Sequence, residues 1–211
     1  MYSQNKEDEF VLDFFSRIES PKKSVLDIGA NDGKTFSNSL LLIENGWEAH
    51  LVEPSSTYKK LMDLHNANNN VFIYPIGIAE SNGELDFYES GSFDGEDGNL
   101  VSCIQPKEMD RWKNVIEFKP TKALFQTFDT FLKTNKLEHQ CFDFISIDVE
   151  GHDWIVLNQI DLILHKTKMV CVEWNSIEKN ALDFSNYCGT YNFKEVHRNA
   201  ENIIFANTIF L

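Results

Sequence analysis

Short apolar runs that end in acidic residues mark where this sequence could do chemistry. The first is followed by Asp27-Ile28-Gly29-Ala30-Asn31-Asp32-Gly33, a D-x-G-x-x-x-G turn carrying two carboxylates, Asp27 and Asp32. A nicotinamide-binding turn reads G-x-G-x-x-G instead, and its glycines let a pyrophosphate approach backbone amides at a helix N-terminus. Carboxylates there repel a pyrophosphate and attract a ligand that carries an ammonium and a sulfonium. S-adenosylmethionine is such a ligand. Glu53, followed by Pro54 and Ser55, stands 20 residues after Gly33, the offset at which an acidic side chain reaches ribose hydroxyls. The expected cofactor set is therefore Asp27, Gly29, Asn31, Asp32, Gly33, Glu53, Pro54 and Ser55, joined by Ile76, Gly77 and Asp148 at later strand ends.

A second acidic run, Ile147-Asp148-Val149-Glu150-Gly151-His152-Asp153, and a third, Val172-Glu173-Trp174-Asn175, follow later strands. Ligands of doubly wound folds bind at that carboxyl edge. Asp148, Glu150, His152 and Glu173 are the candidate catalytic residues. His152 has the side-chain type best suited to general-base work near neutral pH, and a neighbouring carboxylate would raise its basicity. Capping of the next helix by Asp148 or Asp153, with His152 a solvated loop residue, is the competing structural reading. Asp148, Glu173 and Asn175 would suit an oxygen-rich divalent-metal site. The preferred reading is that Glu173 orients the substrate or closes a hydrogen-bond network without a metal.

These residues need a scaffold, and periodicity supplies one. Phe10, Phe14 and Ile18 recur every four residues, predicting a helix from about 7 to 17 that Pro21 ends. Strands are expected at 24–28, 48–52, 71–74, 142–147 and 169–172, with helices on Phe36, Leu40 and Ile43, over 58–64, near 127–134 and near 154–164. Alternating β and α elements imply a Rossmann-like α/β domain, a mostly parallel sheet with helices on both faces. Two runs at 191–196 and 203–210 should close it as an antiparallel hairpin. Residues 83–122 break the rhythm with one alternating strand (Leu85, Phe87) and a Gly/Asp/Ser-rich stretch, 90–99, expected to be a mobile insertion or lid in which Trp112 and Phe118 offer an apolar surface.

The chain of 211 residues reads as a single domain over 1–211, with a 1–20 helical lead and the 83–122 insertion. A net charge of −14 disfavours nucleic acid and anionic lipid as partners. No run approaches the ~20 apolar residues a membrane span needs. Four widely spaced cysteines, Cys103, Cys141, Cys171 and Cys188, without a C-x-x-C pair, suit reduced thiols in a cytoplasmic protein.

Taken together, Ser3-Gln4 with Glu7-Asp8, Asp27–Gly33, Gly46-Trp47, Glu53-Pro54, Thr127-Phe128-Asp129, Asp148–His152 and Asn202–Phe205 resemble the FkbM methyltransferases, a branch of the class I S-adenosylmethionine-dependent enzymes. The resemblance covers nearly the whole chain, and D-V-E-G-H is its most specific string. It implies methyl transfer to a hydroxyl of a sugar, glycan or small natural product, without fixing the acceptor. Residues 90–122 share little of the pattern, so substrate specificity is expected there. A cofactor-binding protein without turnover and a nucleic-acid methyltransferase are the alternatives; the second lacks an N/D-P-P-Y/F element and a basic face.

Overall fold

Every residue of the first strand, β1 (Ser24–Ile28), is buried, as a central parallel strand covered on both faces demands. The structure, a computed structural model, describes residues 1–18, 22–93, 96–97, 99–112 and 114–211. Pro21, the expected stop of the first helix, lies outside them. Helix α1 (Glu7–Ser16) precedes β1; α2 (Leu40–Glu44), β2 (Glu48–Val52), α3 (Tyr58–His65) and β3 (Val71–Tyr74) follow it. After the middle segment come α5 (Phe128–Asn135), β9 (Phe144–Ile147), α6 (Asp153–Leu157), β10 (Met169–Glu173), α7 (Glu178–Thr190), β11 (Phe193–Arg198) and β12 (Asn202–Asn207). The middle segment itself holds β4 (Gly77–Ile78), β5 (Gly83–Glu89), β6 (Ser92–Phe93), β7 (Glu96–Asp97), α4 (Pro106–Trp112) and β8 (Lys119–Gln126).

Seven strands form one sheet in the order β11-β12-β10-β9-β1-β2-β3. All pairings are parallel except those of β12, which runs antiparallel to both β10 and β11. The chain builds outward from β1 to β3, then returns to build outward from β9, so β1 and β9 flank the topological switch point. Side-chain alternation splits the core in two. Leu26, Ile28, Ile145, Ile147, Val170 and Val172 share one face with Phe128, Phe131 and Phe184. Val25, Ala49, Phe144, Met169 and Cys171 share the other with Val11, Phe15 and Trp47.

Several expectations need correction. The spacing of Phe36, Leu40 and Ile43 places Phe36 in a helix, but α2 begins at Leu40. Phe36 has φ 56° and is 51% exposed, and it pairs with Ser3 as an isolated bridge. The helix expected near 154–164 ends at Leu157: the amides of Gln159 and Ile160 bond three residues back, to Val156 O and Leu157 O (3.1 and 3.0 Å), and Asp161 then turns its carboxylate onto the amides of Ile163 and Leu164 (3.0 and 2.9 Å), a local bond that competes with helix. Helix α7 went unmarked: only Ala181, Phe184 and Cys188 of its 13 residues are buried, too thin a stripe to stand out. The middle segment is more ordered than one strand: β5 pairs with β8 from Gly83↔Phe125 to Glu89↔Lys119, and β4 adds parallel to β8. Of the expected mobile stretch, residues 94, 95 and 98 lie outside the described residues. Its first residue, Ser90, is buried and receives a bond from Val101 N (3.2 Å).

Candidate active site

Parallel strands leave carbonyls at their C-terminal ends, and at the switch point these are taken up by the loops that carry the acidic residues. Asp148 N donates to Ile28 O (3.0 Å) and Gly29 N to Val52 O (2.9 Å). The approach is so close that a Cβ on Gly29, at φ +93°, would stand 1.7 Å from the Asp148 carbonyl oxygen. Only glycine fits there. Above this edge opens a cavity of about 340 Å³.

Its β1–β2 end holds part of the expected cofactor set. Asp27, Gly29, Asn31, Glu53, Pro54 and Gly77 line the cavity. Glu53 accepts Asn31 N on one carboxylate oxygen (2.8 Å) and Ser55 N on the other (2.7 Å), and the Ser55 hydroxyl supports it too, which fixes the carboxylate while leaving it a lone pair for a ligand. Burial pushes its pKa up, against the pull of those amides. Asp27 accepts Ser39 Oγ (2.5 Å), and burial raises it to about 6, with the charge of Glu53 adding to the rise. Asn31 Oδ1 is buried with no hydrogen-bond partner among the described residues.

Four members of the set turn elsewhere. Asp32 spends its carboxylate on Lys34 N, Thr35 N and Thr35 Oγ1 (2.8, 2.7 and 2.9 Å), shaping the loop rather than facing the cavity. Gly33 is favoured by its left-handed backbone (φ +75°), and a Cβ there would also press on Leu61 Cδ2 at 2.4 Å. Ser55 lies outside the cavity lining, holding Glu53 from behind while its Oγ pairs with Thr57 Oγ1 (2.6 Å), and Ile76 is buried in the core.

The β9–β10 end collects the second and third acidic runs. After β9 the chain passes through two successive left-handed residues, Glu150 (φ 50°) and Gly151 (φ 85°). Asp153 holds this turn, accepting Val149 N on one oxygen (3.0 Å) and Gly151 N on the other (3.1 Å). After β10 the same device recurs at Asn175 (φ 52°) and Ser176 (φ 54°). Glycine adopts such conformations freely, but at the non-glycine positions Glu150, Asn175 and Ser176 they cost about 1–3 kcal/mol each and survive where the surroundings over-determine them. Their effect is to bring Asp148, Glu150 and Glu173 together, one oxygen of each lying within 4.8 Å of the others. Asn175 lines the same cavity.

Three carboxylates so close resist simultaneous ionisation. Burial, then the charges of Asp153, Asp27 and others, lifts Asp148 to about 8. Glu150 and Glu173 are raised well above the usual carboxylate range by burial and by Asp148. Arg111 on α4 lowers both, but its ion pair runs to Glu108 (3.0 Å). Glu173 Oε2 is buried and has no hydrogen-bond partner among the described residues.

His152, the expected base, lines the cavity with both ring nitrogens engaged by other side chains. Its ring is 3% exposed, with Nε2 against Glu80 Oε2 (2.8 Å) and Nδ1 against Gln105 Nε2 (3.1 Å). An amide nitrogen only donates, so Nδ1 accepts from Gln105 and Nε2–H donates to Glu80. No ring lone pair faces an acceptor. Glu80 and Gln105 escape sequence reasoning because they follow a two-residue strand and precede a short helix, neither with a readable period. Leu100, Val101 and Ile104 form an apolar wall, with Trp112 beside it. Trp112 fits the expected apolar surface, whereas Phe118 lies outside this lining.

The terminal elements close the arrangement. Glu7 on α1 accepts Asn199 Nδ2 (2.7 Å) and Asn202 Nδ2 (3.0 Å) from the β11–β12 hairpin, which joins two parts of the sequence pattern, Glu7-Asp8 and Asn202–Phe205. Asp8 accepts Ser3 Oγ (2.6 Å), and Gln4 reaches the cavity.

A family model described as the methyltransferase FkbM domain matches residues 27–198. Among solved structures, monomeric WbdD is similar over 97% of this chain and 41% of its own, with 12% identity and a TM-score of 0.51. This chain thus spans about two-fifths of that protein. A fibrillarin/Nop5p complex is similar over 96% of this chain and 79% of the other (15% identity, TM-score 0.47). Precorrin-6y C5,15-methyltransferase from Geobacter metallireducens follows at 94% and 87% (10% identity, TM-score 0.47). Among curated proteins, none matches this sequence.

Proposed function

The chain belongs to the FkbM methyltransferase family, and from that footing we propose that it methylates a hydroxyl of a sugar, glycan or small natural product. The class I fold implies S-adenosylmethionine, which when bound supplies the methyl group. The residues at the β1–β2 end fit it: Glu53 has a lone pair for a ribose hydroxyl, and Asn31 Oδ1 is a buried acceptor without a partner among the described residues. Asp27, Gly29, Pro54 and Gly77 complete that end, and Asp148 stands between it and the acceptor side. Asp32, Gly33, Ser55 and Ile76 support it by shaping the loop and packing beneath it.

The observation that carries the acceptor assignment is the carboxylate group of Asp148, Glu150 and Glu173 at the far end of the same cavity. Methyl transfer to an alcohol needs the oxygen held in line and its proton removed. In its ionised form Asp148, whose pKa burial and the charges of Asp153 and Asp27 raise to about 8, is a far stronger proton acceptor than an ordinary carboxylate, and that form grows as pH rises toward 8. These side chains accept hydrogen bonds from hydroxyls of the acceptor and take the proton of the one that reacts. The Leu100, Val101, Ile104 and Trp112 wall covers the apolar faces of such a molecule. His152 is a positioning residue that ties the 99–105 segment to the turn after β9.

Among the described residues no helix is long and apolar enough to cross a membrane, and the four thiols are free, which suits a reducing compartment. Incubation of the protein with isotopically labelled S-adenosylmethionine and a panel of sugars, glycosides and hydroxylated natural products tests the assignment. An oxygen-linked methyl on one of them supports it; transfer only to nitrogen or carbon contradicts it.

A further inference from the structure

We infer that Asp148, Glu150 and Glu173 form a binding site for one divalent, oxygen-preferring cation at the acceptor end of the cavity. The inference deepens the proposed function and rests on it for the cation's use, though not for its binding. Three observations carry it. First, the oxygens converge: a pairwise spread of no more than 4.8 Å is what one ion can bridge, since opposite ligands lie ~4.2 Å apart around Mg²⁺ and ~4.6–5.2 Å apart around Ca²⁺. Second, Glu173, 7% exposed, carries a buried Oε2 with no partner among the described residues, in a side chain that lines the cavity. A buried acceptor of that kind is rare unless something outside the chain meets it. Third, the cation nearest in charge, Arg111, forms its ion pair with Glu108 rather than with these three groups.

The donor set is all oxygen, which favours Mg²⁺, Mn²⁺ or Ca²⁺ over the softer metals that nitrogen and sulfur ligands select. The cavity leaves room for water or an acceptor hydroxyl as the remaining ligands, and Asn175, on the same rim, offers a carbonyl oxygen. A dication here would offset the mutual repulsion of the three carboxylates. It would also lower the pKa of a hydroxyl bound to it.

Mn²⁺ is the probe. Chelator-treated protein is titrated with MnCl₂, with free Mn²⁺ followed by electron paramagnetic resonance. Glu150→Gln and Glu173→Gln, which keep side-chain shape, are titrated alongside, and S-adenosylhomocysteine affinity is measured on every sample. One site per chain with a sub-millimolar Kd, weakened at least tenfold in either variant, is the expected result. No saturable site up to millimolar Mn²⁺, or a site undiminished in both variants, overturns the inference. The S-adenosylhomocysteine measurement separates this from failure of the cofactor reading: intact affinity with no metal site sinks only the cation, and lost affinity in the unmodified protein sinks the cofactor assignment instead.

Discussion

His152 donates its Nε2–H to Glu80 (2.8 Å), so the residue that follows β9 is fastened to the residue that follows β4, and Gln105 fastens it on the other side (3.1 Å). The ring therefore acts as a clasp between the large sheet, the small sheet and the segment before α4. His152→Ala should loosen that segment. Hydrogen exchange should quicken at residues 99–105 while the central strands stay protected. The turnover number should fall by about tenfold or less, short of the ~10²–10⁴-fold loss that removal of a general base brings. A loss in that larger range with unchanged exchange would restore His152 as the base.

Glu53 offers the cofactor end its firmest anchor, since two backbone amides hold its carboxylate in place. A hydrogen bond to a charged group contributes about 1.5–3 kcal/mol, so Glu53→Ala should weaken S-adenosylhomocysteine binding by roughly tenfold or more. Calorimetry on the folded variant checks this. Unchanged affinity would remove Glu53 from the cofactor site.

Gly29 is confined by both conformation and contact, with φ +93° and the Asp148 carbonyl 1.7 Å from where a Cβ would stand. Gly29→Ala must push β1 and β9 apart at the switch point. Cofactor binding should be lost, and the melting temperature should drop, by about 2–4 °C for each kcal/mol of strain in a chain of this size. Gly46→Ala is the control: its Cβ would meet nothing within 4 Å, so only its left-handed φ of 80° should cost stability, and cofactor affinity should stay.

Asp27 makes stability pH-dependent in a direction opposite to an ordinary surface carboxylate. Burial first, with the charge of Glu53 adding to it, raises its pKa from 3.8 to about 6, so the native state binds its proton more tightly than the unfolded chain. The resulting stabilisation is complete below about pH 4 and is lost as pH rises through about 6. Asp27→Asn cannot lose it. The difference in melting temperature between variant and wild type, which cancels the titration of the buried histidines, should therefore shift in the variant's favour from pH 4 to pH 7. A constant difference would mean that Asp27 titrates normally.

Much of this was legible in the sequence because short, mostly apolar runs bounded by polar or Gly-containing turns read as strands: the bounds of β1, β2 and the edge strand β3 follow directly from 24–28, 48–52 and 71–74. The acidic residues at strand ends follow from them. What stayed hidden depends on long-range contacts. Phe36 has the right spacing for α2, yet Ser3 pairs with it and the loop holds it at positive φ. Glu150 reads as a neighbour of His152, but two left-handed residues turn it toward Glu173. Glu80 and Gln105, 72 and 47 residues from His152, carry no local signal at all.

The most direct test of the account compares wild type and Asp148→Asn in labelled-methyl transfer to a hydroxyl acceptor found in the panel, with S-adenosylhomocysteine affinity measured on both. If the carboxylates after β9 and β10 hold the acceptor and take its proton, turnover should fall by about 10²-fold or more while cofactor affinity stays within about threefold. Turnover at the wild-type rate in Asp148→Asn would contradict it.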